Sequence, residues 1–271
     1  MTAGETPALH NEMKTNLLHS TFEAGGAAAP EQHLTCYLVN NCVALDAGSL
    51  SLTKGASHRA SVRDVIVTHP HLDHIAGLPF FIDDLFDELR EPIRVHATAE
   101  AIDVLERNIF NWDVYPRFSE IENKFGKVME YCQFTPREEF RIGALTVKAI
   151  PVNHQVPTVG LLVSDGRSTM GLSSDTAETD EFWEALNSIK KVDALLIEAS
   201  FPNEMAELAD VSFHLTPNML RAELGKLNEL PGEILAVHLK PAFYAEICRQ
   251  LADLDITNLS VMQPGRDYEW R

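Results

Sequence analysis

Thr68-His69-Pro70-His71-Leu72-Asp73-His74 is the stretch on which the reading of this chain turns. Three imidazoles and one carboxylate fall within its last six residues. Buried histidines and aspartates need partners, because removing water from them is costly. A transition metal is a partner that all four groups can share, since neutral imidazole and carboxylate oxygen are ordinary ligands of zinc, iron and manganese. His69 and His71 are two apart and can point the same way. Asp73 and His74 are adjacent and do not easily join that face. Two neighbouring ions, one on the His-x-His pair and one on Asp-His, account for the spacing better than one. The expected chemistry is that of a metallohydrolase.

The flanks say how the motif is held. Val65-Ile66-Val67 is apolar and β-branched and reads as a buried strand. Thr68 ends it, and Pro70 prevents the ladder from continuing. From Ile75 to Leu89, apolar residues recur at Leu78, Ile82, Leu85, Phe86 and Leu89, which is helical spacing. The polar cluster therefore sits at the carboxyl end of a strand, where open α/β sheets bind ligands. Three more candidates follow β segments: His154 after Val147–Val152, Asp175 within Met170–Thr176, and His238 after Ile234–Val237. Alone, either histidine would read as a hydrogen-bonded structural residue, and Asp175 as a turn or cap. Their shared position at strand ends favours ligation.

This pattern resembles the metallo-β-lactamase superfamily of binuclear hydrolases, from about Thr35 to Trp270. The resemblance implies a four-layer αββα sandwich, where periodicity alone gives only an α/β class. It implies His69, His71 and His154 on one divalent ion, Asp73, His74 and His238 on a second, and Asp175 bridging both, with a hydroxide between the ions. Zinc is the expected metal, with manganese and iron as alternatives. Within the superfamily, the chain looks like class II cyclic-nucleotide phosphodiesterases. The segments that carry this are His69–Leu78, Pro151-Val152-Asn153-His154, Ser174-Asp175-Thr176, Glu198-Ala199-Ser200-Phe201-Pro202, His214-Leu215-Thr216-Pro217 and His238-Leu239-Lys240-Pro241. One departure is Ser174, where glycine usually precedes the bridging aspartate. Another is Gly25–Pro30 with Gln32, an approximate match to a Gly-rich turn and a nearby Asn.

The same likeness, shared with the tRNA-processing branch, implies that Glu198 orients His214. His214 would then give a proton to the leaving 3′-oxygen or stabilise phosphate charge, with Asp73 also counted among the catalytic residues. The expected reaction is hydrolysis of 3′,5′-cyclic AMP or GMP to the 5′-monophosphate. Other readings are a tRNA-processing-like nuclease, a lactonase, a thioesterase or a β-lactamase, or a di-iron sensor or binding protein with little hydrolysis. Asp46 reads either as a support behind the histidine loop or as a turn residue. Lys240, Asn111, Arg117 and Tyr115 are conceivable substrate contacts, or solvated surface.

Composition bounds the partners. The chain has 22 basic and 40 acidic residues, a net charge of −18. That opposes DNA, RNA and anionic membranes as partners. A small anionic substrate remains compatible, because divalent ions can reverse the local potential. Cys36, Cys42, Cys132 and Cys248 have no metal-ligand spacing and read as reduced thiols. The first 20 residues lack an apolar signal core, which fits a cytoplasmic protein, with a processed periplasmic form as the alternative. The likeness suggests a homodimer.

At 271 residues the chain fits a single domain, 1–271. Residues 1–30 read as a polar N-terminal arm. Leu34 to Asp46 reads as a hairpin turning at Asn40-Asn41. Residues 98–125 read as a helical, aromatic-rich insertion that either caps the metals or packs in a core or dimer interface. Leu259–Met262 reads as the closing strand.

Overall fold

The computed structural model describes residues 12–24, 26, 29–52 and 58–270. In chain order the first half contains β1 (Met13–Leu17), β2 (Tyr37–Val39), β3 (Val43–Leu45), α1 (His58–Ser61), β4 (Asp64–Ile66), α2 (Leu72–Ile75), α3 (Gly77–Leu85), β5 (Ile93–Ala97) and α4 (Ala99–Asn108). A small hairpin of β6 (Glu122–Asn123) and β7 (Gly126–Lys127) precedes β8 (Met129–Gln133). The second half contains β9 (Glu139–Ile142), β10 (Leu145–Val152), β11 (Thr158–Ser164), β12 (Thr169–Leu172), α5 (Glu181–Asn187), β13 (Ala194–Glu198), α6 (Ala206–Val211), α7 (Pro217–Leu224), β14 (Glu233–Val237), α8 (Tyr244–Ala252), β15 (Leu259–Val261) and β16 (Asp267–Trp270).

Two seven-stranded mixed sheets result, ordered β16-β1-β2-β3-β4-β5-β8 and β15-β14-β13-β12-β11-β10-β9. Strand alternation builds the layers. Leu45 and Ile66 face the second sheet, where Leu196 and Leu235 meet them in the central core. Val65 and Val67 point the other way, under Leu78, Phe81 and Ile82 of α3. Leu195 and Ile234 likewise face outward, under Leu220 of α7 and Ile247 of α8. The outcome is the expected four-layer αββα sandwich. Among the described residues, no helix is long and apolar enough to cross a membrane.

The hairpin forms where expected. Asn40 and Asn41 take φ of 51° and 55°, the left-handed conformations a tight hairpin turn requires. Thr216 caps α7 by accepting from the Met219 N–H, with Pro217 at the first helical position.

Three expectations need correction. The supposed N-terminal arm contains β1, which lies inside the first sheet with Met13, Thr15 and Leu17 buried. Residues 1–11 of that arm, and Gly25, Ala27 and Ala28 of the Gly-rich segment, lie outside the described residues. The strand expected at Leu259 forms, as β15 at the edge of the second sheet, but a further strand, β16, follows it and pairs with β1 from Met13↔Trp270 onward. The helix expected over 98–125 stops at Asn108. Beyond it, the Asn111 side chain accepts from the Asp113 and Val114 N–H groups, and Trp112 turns to φ 71°. Local side-chain capture of the backbone wins there over helix propagation. Phe110 and Phe118 are buried against Phe86 and Tyr115, while Trp112 and Val114 face outward.

Candidate metal centre

Strand ends of both sheets deliver the site. His69 and His71 occupy the loop after β4, and Asp73 and His74 the first turn of α2. His154 follows β10, Asp175 follows β12, Glu198 ends β13, and His238 follows β14. His214 lies between α6 and α7. The fold brings all seven expected ligands together in two groups that share Asp175. Ligand atoms of His69, His71, His154 and Asp175 lie within 4.8 Å of one another, as do those of Asp73, His74, Asp175 and His238.

Individual distances fit a shared centre. Asp175 Oδ2 is 3.7 Å from His69 Nε2 and 3.3 Å from His74 Nε2. His238 Nε2 is 3.1 Å from Asp73 Oδ2, and His154 Nε2 is 3.1 Å from His71 Nδ1. His69 Nε2 and His74 Nε2 are buried, yet neither makes a hydrogen bond among the described residues. Buried ring nitrogens rarely stay unsatisfied unless something else uses their lone pair or proton. The protonation pattern suits a cation as well. Burial, with neighbouring imidazoles adding to it for His69, pulls the pKa values of His69, His71 and His154 down, which favours the neutral rings. Burial pushes the Asp73 and Asp175 carboxyls up, but the surrounding histidines outweigh it and hold both well below the usual range. Burial lowers the His74 pKa too, but Asp175 and Asp46 outweigh it and leave it raised. A divalent metal at this ring would displace that proton and take over its place beside the carboxylates.

The histidine loop is braced from behind. Asp46 accepts from the Thr68 N–H at 2.8 Å and from the Thr68 hydroxyl, and its Oδ2 lies 2.7 Å from His74 Nδ1. That contact directs His74 Nε2 into the cluster. Asp46 is thus the support the sequence allowed for, and no mere turn residue. Thr68 Oγ1 also touches His69 Nδ1 at 3.1 Å and receives the Ser174 hydroxyl at 2.8 Å. Ser174 sits at φ 56°, where glycine is unstrained. Its hydrogen bond offsets a strain of about 1 kcal/mol. Gly48 lies so close to the loop that a Cβ would stand 1.9 Å from the Asp73 carbonyl oxygen. The backbone is clamped there by Thr35 N–H to Asp73 O and Ala47 N–H to His74 O.

A second buried constellation adjoins the cluster. His214 Nδ1 is 2.7 Å from Glu198 Oε1. Glu198 also accepts from the Thr176 and Leu215 N–H groups and from the Ser200 hydroxyl at 2.7 Å. Burial lowers the His214 pKa, but the adjacent Glu198 carboxylate outweighs it and leaves the value raised. Ser200 Oγ is 3.0 Å from His238 Nδ1, so Ser200 joins this pair to the metal cluster. Sequence reading placed Ser200 in a motif but gave it no role, and a serine two residues past a strand-end carboxylate carries no signal of its own.

The other candidate contacts separate. Lys240 Nζ is 3.9 Å from Asp73 Oδ2 and stands at the site. Asn111, Arg117 and Tyr115 are tied to partners of their own. Asn111 bonds the Arg107 carbonyl, Arg117 is held by Glu106 and Glu120, and the Tyr115 hydroxyl donates to Asp83. They brace the insertion.

Known proteins resemble this chain in sequence and fold. A probable 3′,5′-cyclic-nucleotide phosphodiesterase of Yersinia pestis is 29% identical over 247 residues, covering 82% of this chain and 68% of the relative. A 3′,5′-cyclic-nucleotide phosphodiesterase of Aliivibrio fischeri is 27% identical over 245 residues, covering 74% and 72%. The crystal structure of unliganded yeast PDE1 superposes with a TM-score of 0.76 at 16% identity, covering 94% of this chain and 99% of that one. The description of a beta-lactamase superfamily domain matches residues 38–239. On that match, and on a fold whose strand ends converge on a histidine and aspartate cluster, the chain belongs to the beta-lactamase superfamily and is one of its metal-dependent hydrolases.

Proposed function

We propose that the chain hydrolyses a 3′,5′-cyclic nucleotide to its 5′-monophosphate, using two divalent ions. The observation that carries this reading is the buried Glu198–His214 pair set against the His238 side of the cluster. The names of the two curated relatives support the substrate class. His69, His71 and His154 would hold one ion, Asp73, His74 and His238 the other, and Asp175 both. When bound, such ions supply Lewis acidity that activates water and offsets charge on phosphoryl oxygens. Zinc, manganese or iron suits these donors.

The chain's own residues do the rest. Glu198, fixed by two backbone N–H groups, holds a proton on His214 Nδ1 and sets the ring's orientation. Its charge keeps His214 protonated to higher pH than an isolated imidazole. Nε2 of His214 can therefore donate to the leaving 3′-oxygen. Asp46 and Thr68 hold His74 and His69 in place, so little rearrangement is needed when substrate arrives.

The test is incubation of metal-replete protein with 3′,5′-cyclic AMP and with cyclic GMP, with chromatography of the nucleotides. Conversion to the 5′-monophosphate that falls at least a hundredfold in His214→Ala, at equal metal content, is expected. Equal slow turnover by both proteins would sink the reading.

A further inference from the structure

A cavity of about 180 Å³ opens directly beside Asp73 and His238. One wall is the 30–35 segment, the other the 239–244 segment that leads into α8. Leu34, Leu239, Pro241 and Tyr244 make much of it apolar, and Lys240 is placed at the Asp73 end. We infer that this cavity receives the base of the cyclic nucleotide, and that Lys240 faces the phosphate as it reaches the metal site. The inference rests on the proposed phosphodiesterase reading and goes beyond it by assigning where the organic part of the substrate binds.

Three observations support it. The size suits one ring system, being below the roughly 300–1,000 Å³ typical of pockets for larger ligands. The wall is built and held. Gln32 spends its amide within the segment: its oxygen accepts from Ser20, and its nitrogen donates to the carbonyls of Ala29 and Glu31. The Ser20 hydroxyl in turn accepts from the His33 and Leu34 N–H groups. Gln32 is thus a staple that shapes the cavity, with nothing left to offer a ligand. The charge is also placed for an anion. Among the described residues, the ion pair of Lys240 Nζ is a long one, 3.9 Å, to Asp73 Oδ2. A carboxylate that binds a divalent ion has less charge to hold that ammonium, which frees it for a phosphate oxygen.

The experiment compares kcat/KM for 3′,5′-cyclic AMP with that for methyl 4-nitrophenyl phosphate, a diester without a base, in metal-replete protein. Leu34→Trp fills the cavity, and Leu34→Phe is a smaller filler should the first fail to fold. Either should lower the ratio of the two values at least tenfold. Lys240→Ala should lower both values and leave their ratio within about twofold. A ratio unmoved by both fillers overturns the assignment. If the wild-type protein cleaves only the base-free diester, the cyclic-nucleotide reading falls. Calorimetric binding of 5′-AMP then decides the cavity: affinity lost in Leu34→Phe supports it, and no binding to the wild type overturns it.

Discussion

The hydroxyl of Ser200 lies 3.0 Å from Nδ1 of His238. It has one proton to give, and the Glu198 Oε2 atom at 2.7 Å takes it. With that proton directed to Glu198, which lies nearer than the His238 carbonyl at 3.1 Å, the hydroxyl accepts from Nδ1–H of His238. That leaves the His238 Nε2 lone pair free, 3.1 Å from Asp73 Oδ2. One serine thus fixes the tautomer of a candidate ligand from the opposite side of its ring.

Removing that hydroxyl should loosen the metal. Ser200→Ala is expected to weaken affinity about tenfold or more, the usual effect of deleting a group that orients a ligand. Competition with a chromophoric chelator reads this directly. Unchanged affinity would show that His238 needs no such support.

Glu198→Gln should be damaging twice over. The carboxylate accepts from four donors, and an amide must turn its NH2 toward at least one of them. A buried donor left unsatisfied costs about 1–3 kcal/mol, to be seen as a lower midpoint of urea unfolding. Hydrolysis should fall by about a hundredfold or more, while metal content by elemental analysis stays near that of the wild type.

Chelation should cost stability as well as activity. An ion that binds only the folded chain, at a hundred times its dissociation constant, adds about 2.7 kcal/mol. Calorimetry with and without chelator should therefore show a clear drop in Tm. Asp175→Ala, which removes the residue common to both groups, should start low and respond little to chelator.

At the start of β4, Asp64 gives the fold an acid-sensitive tie. Burial pushes its carboxyl up, but hydrogen bonds from Arg94 and His96 outweigh this and bring the pKa down to about 2. A carboxyl whose pKa is lower when folded adds stability above its unfolded pKa and loses it as pH falls through the folded value. The window runs from about pH 4 down to pH 2, and the effect is of order 1–2 kcal/mol. Asp64→Asn should flatten the pH dependence of stability in that window. A variant as acid-sensitive as the wild type would refute the assignment.

Ser174→Gly tests a balance of two small terms. Glycine removes the strain at φ 56° but also the 2.8 Å hydrogen bond to Thr68. Each is about 1 kcal/mol, so Tm should move by only a few degrees. Ser174→Val keeps the strain, loses the bond and should be clearly worse.

Much of the fold was legible where local chemistry and tertiary demand agree. The hairpin at Asn40-Asn41, the Thr216-Pro217 helix start and the apolar Val65–Val67 strand are such places. β1 and β16 were missed because each is short and mixes buried polar groups with apolar ones, as in Thr15 and Asn16, and because their pairing joins opposite ends of the sequence. The insertion misled because the side chain of Asn111 and the turn at Trp112 interrupt a helical spacing that continues on paper. In the site, charged and imidazole groups announce themselves at strand ends. The hydroxyls of Thr68, Ser174 and Ser200 do not, since serine and threonine are common everywhere and act here only through geometry.

The pairing of β1 with β16 has a bearing on biosynthesis. β1 leaves the ribosome well before its partner, since Asn16 and Asp267 are 251 residues apart. Until residues 267–270 emerge, one edge of β1 has no strand beside it, and an open edge is a template for pairing with other nascent chains. Polar residues on this strand, Lys14 and Asn16, blunt that hazard, and both later engage Asp267 as the sheet closes. Truncation just before β16 should therefore reveal itself first as poor yield and aggregation during expression, with all the metal-site residues still present in the chain.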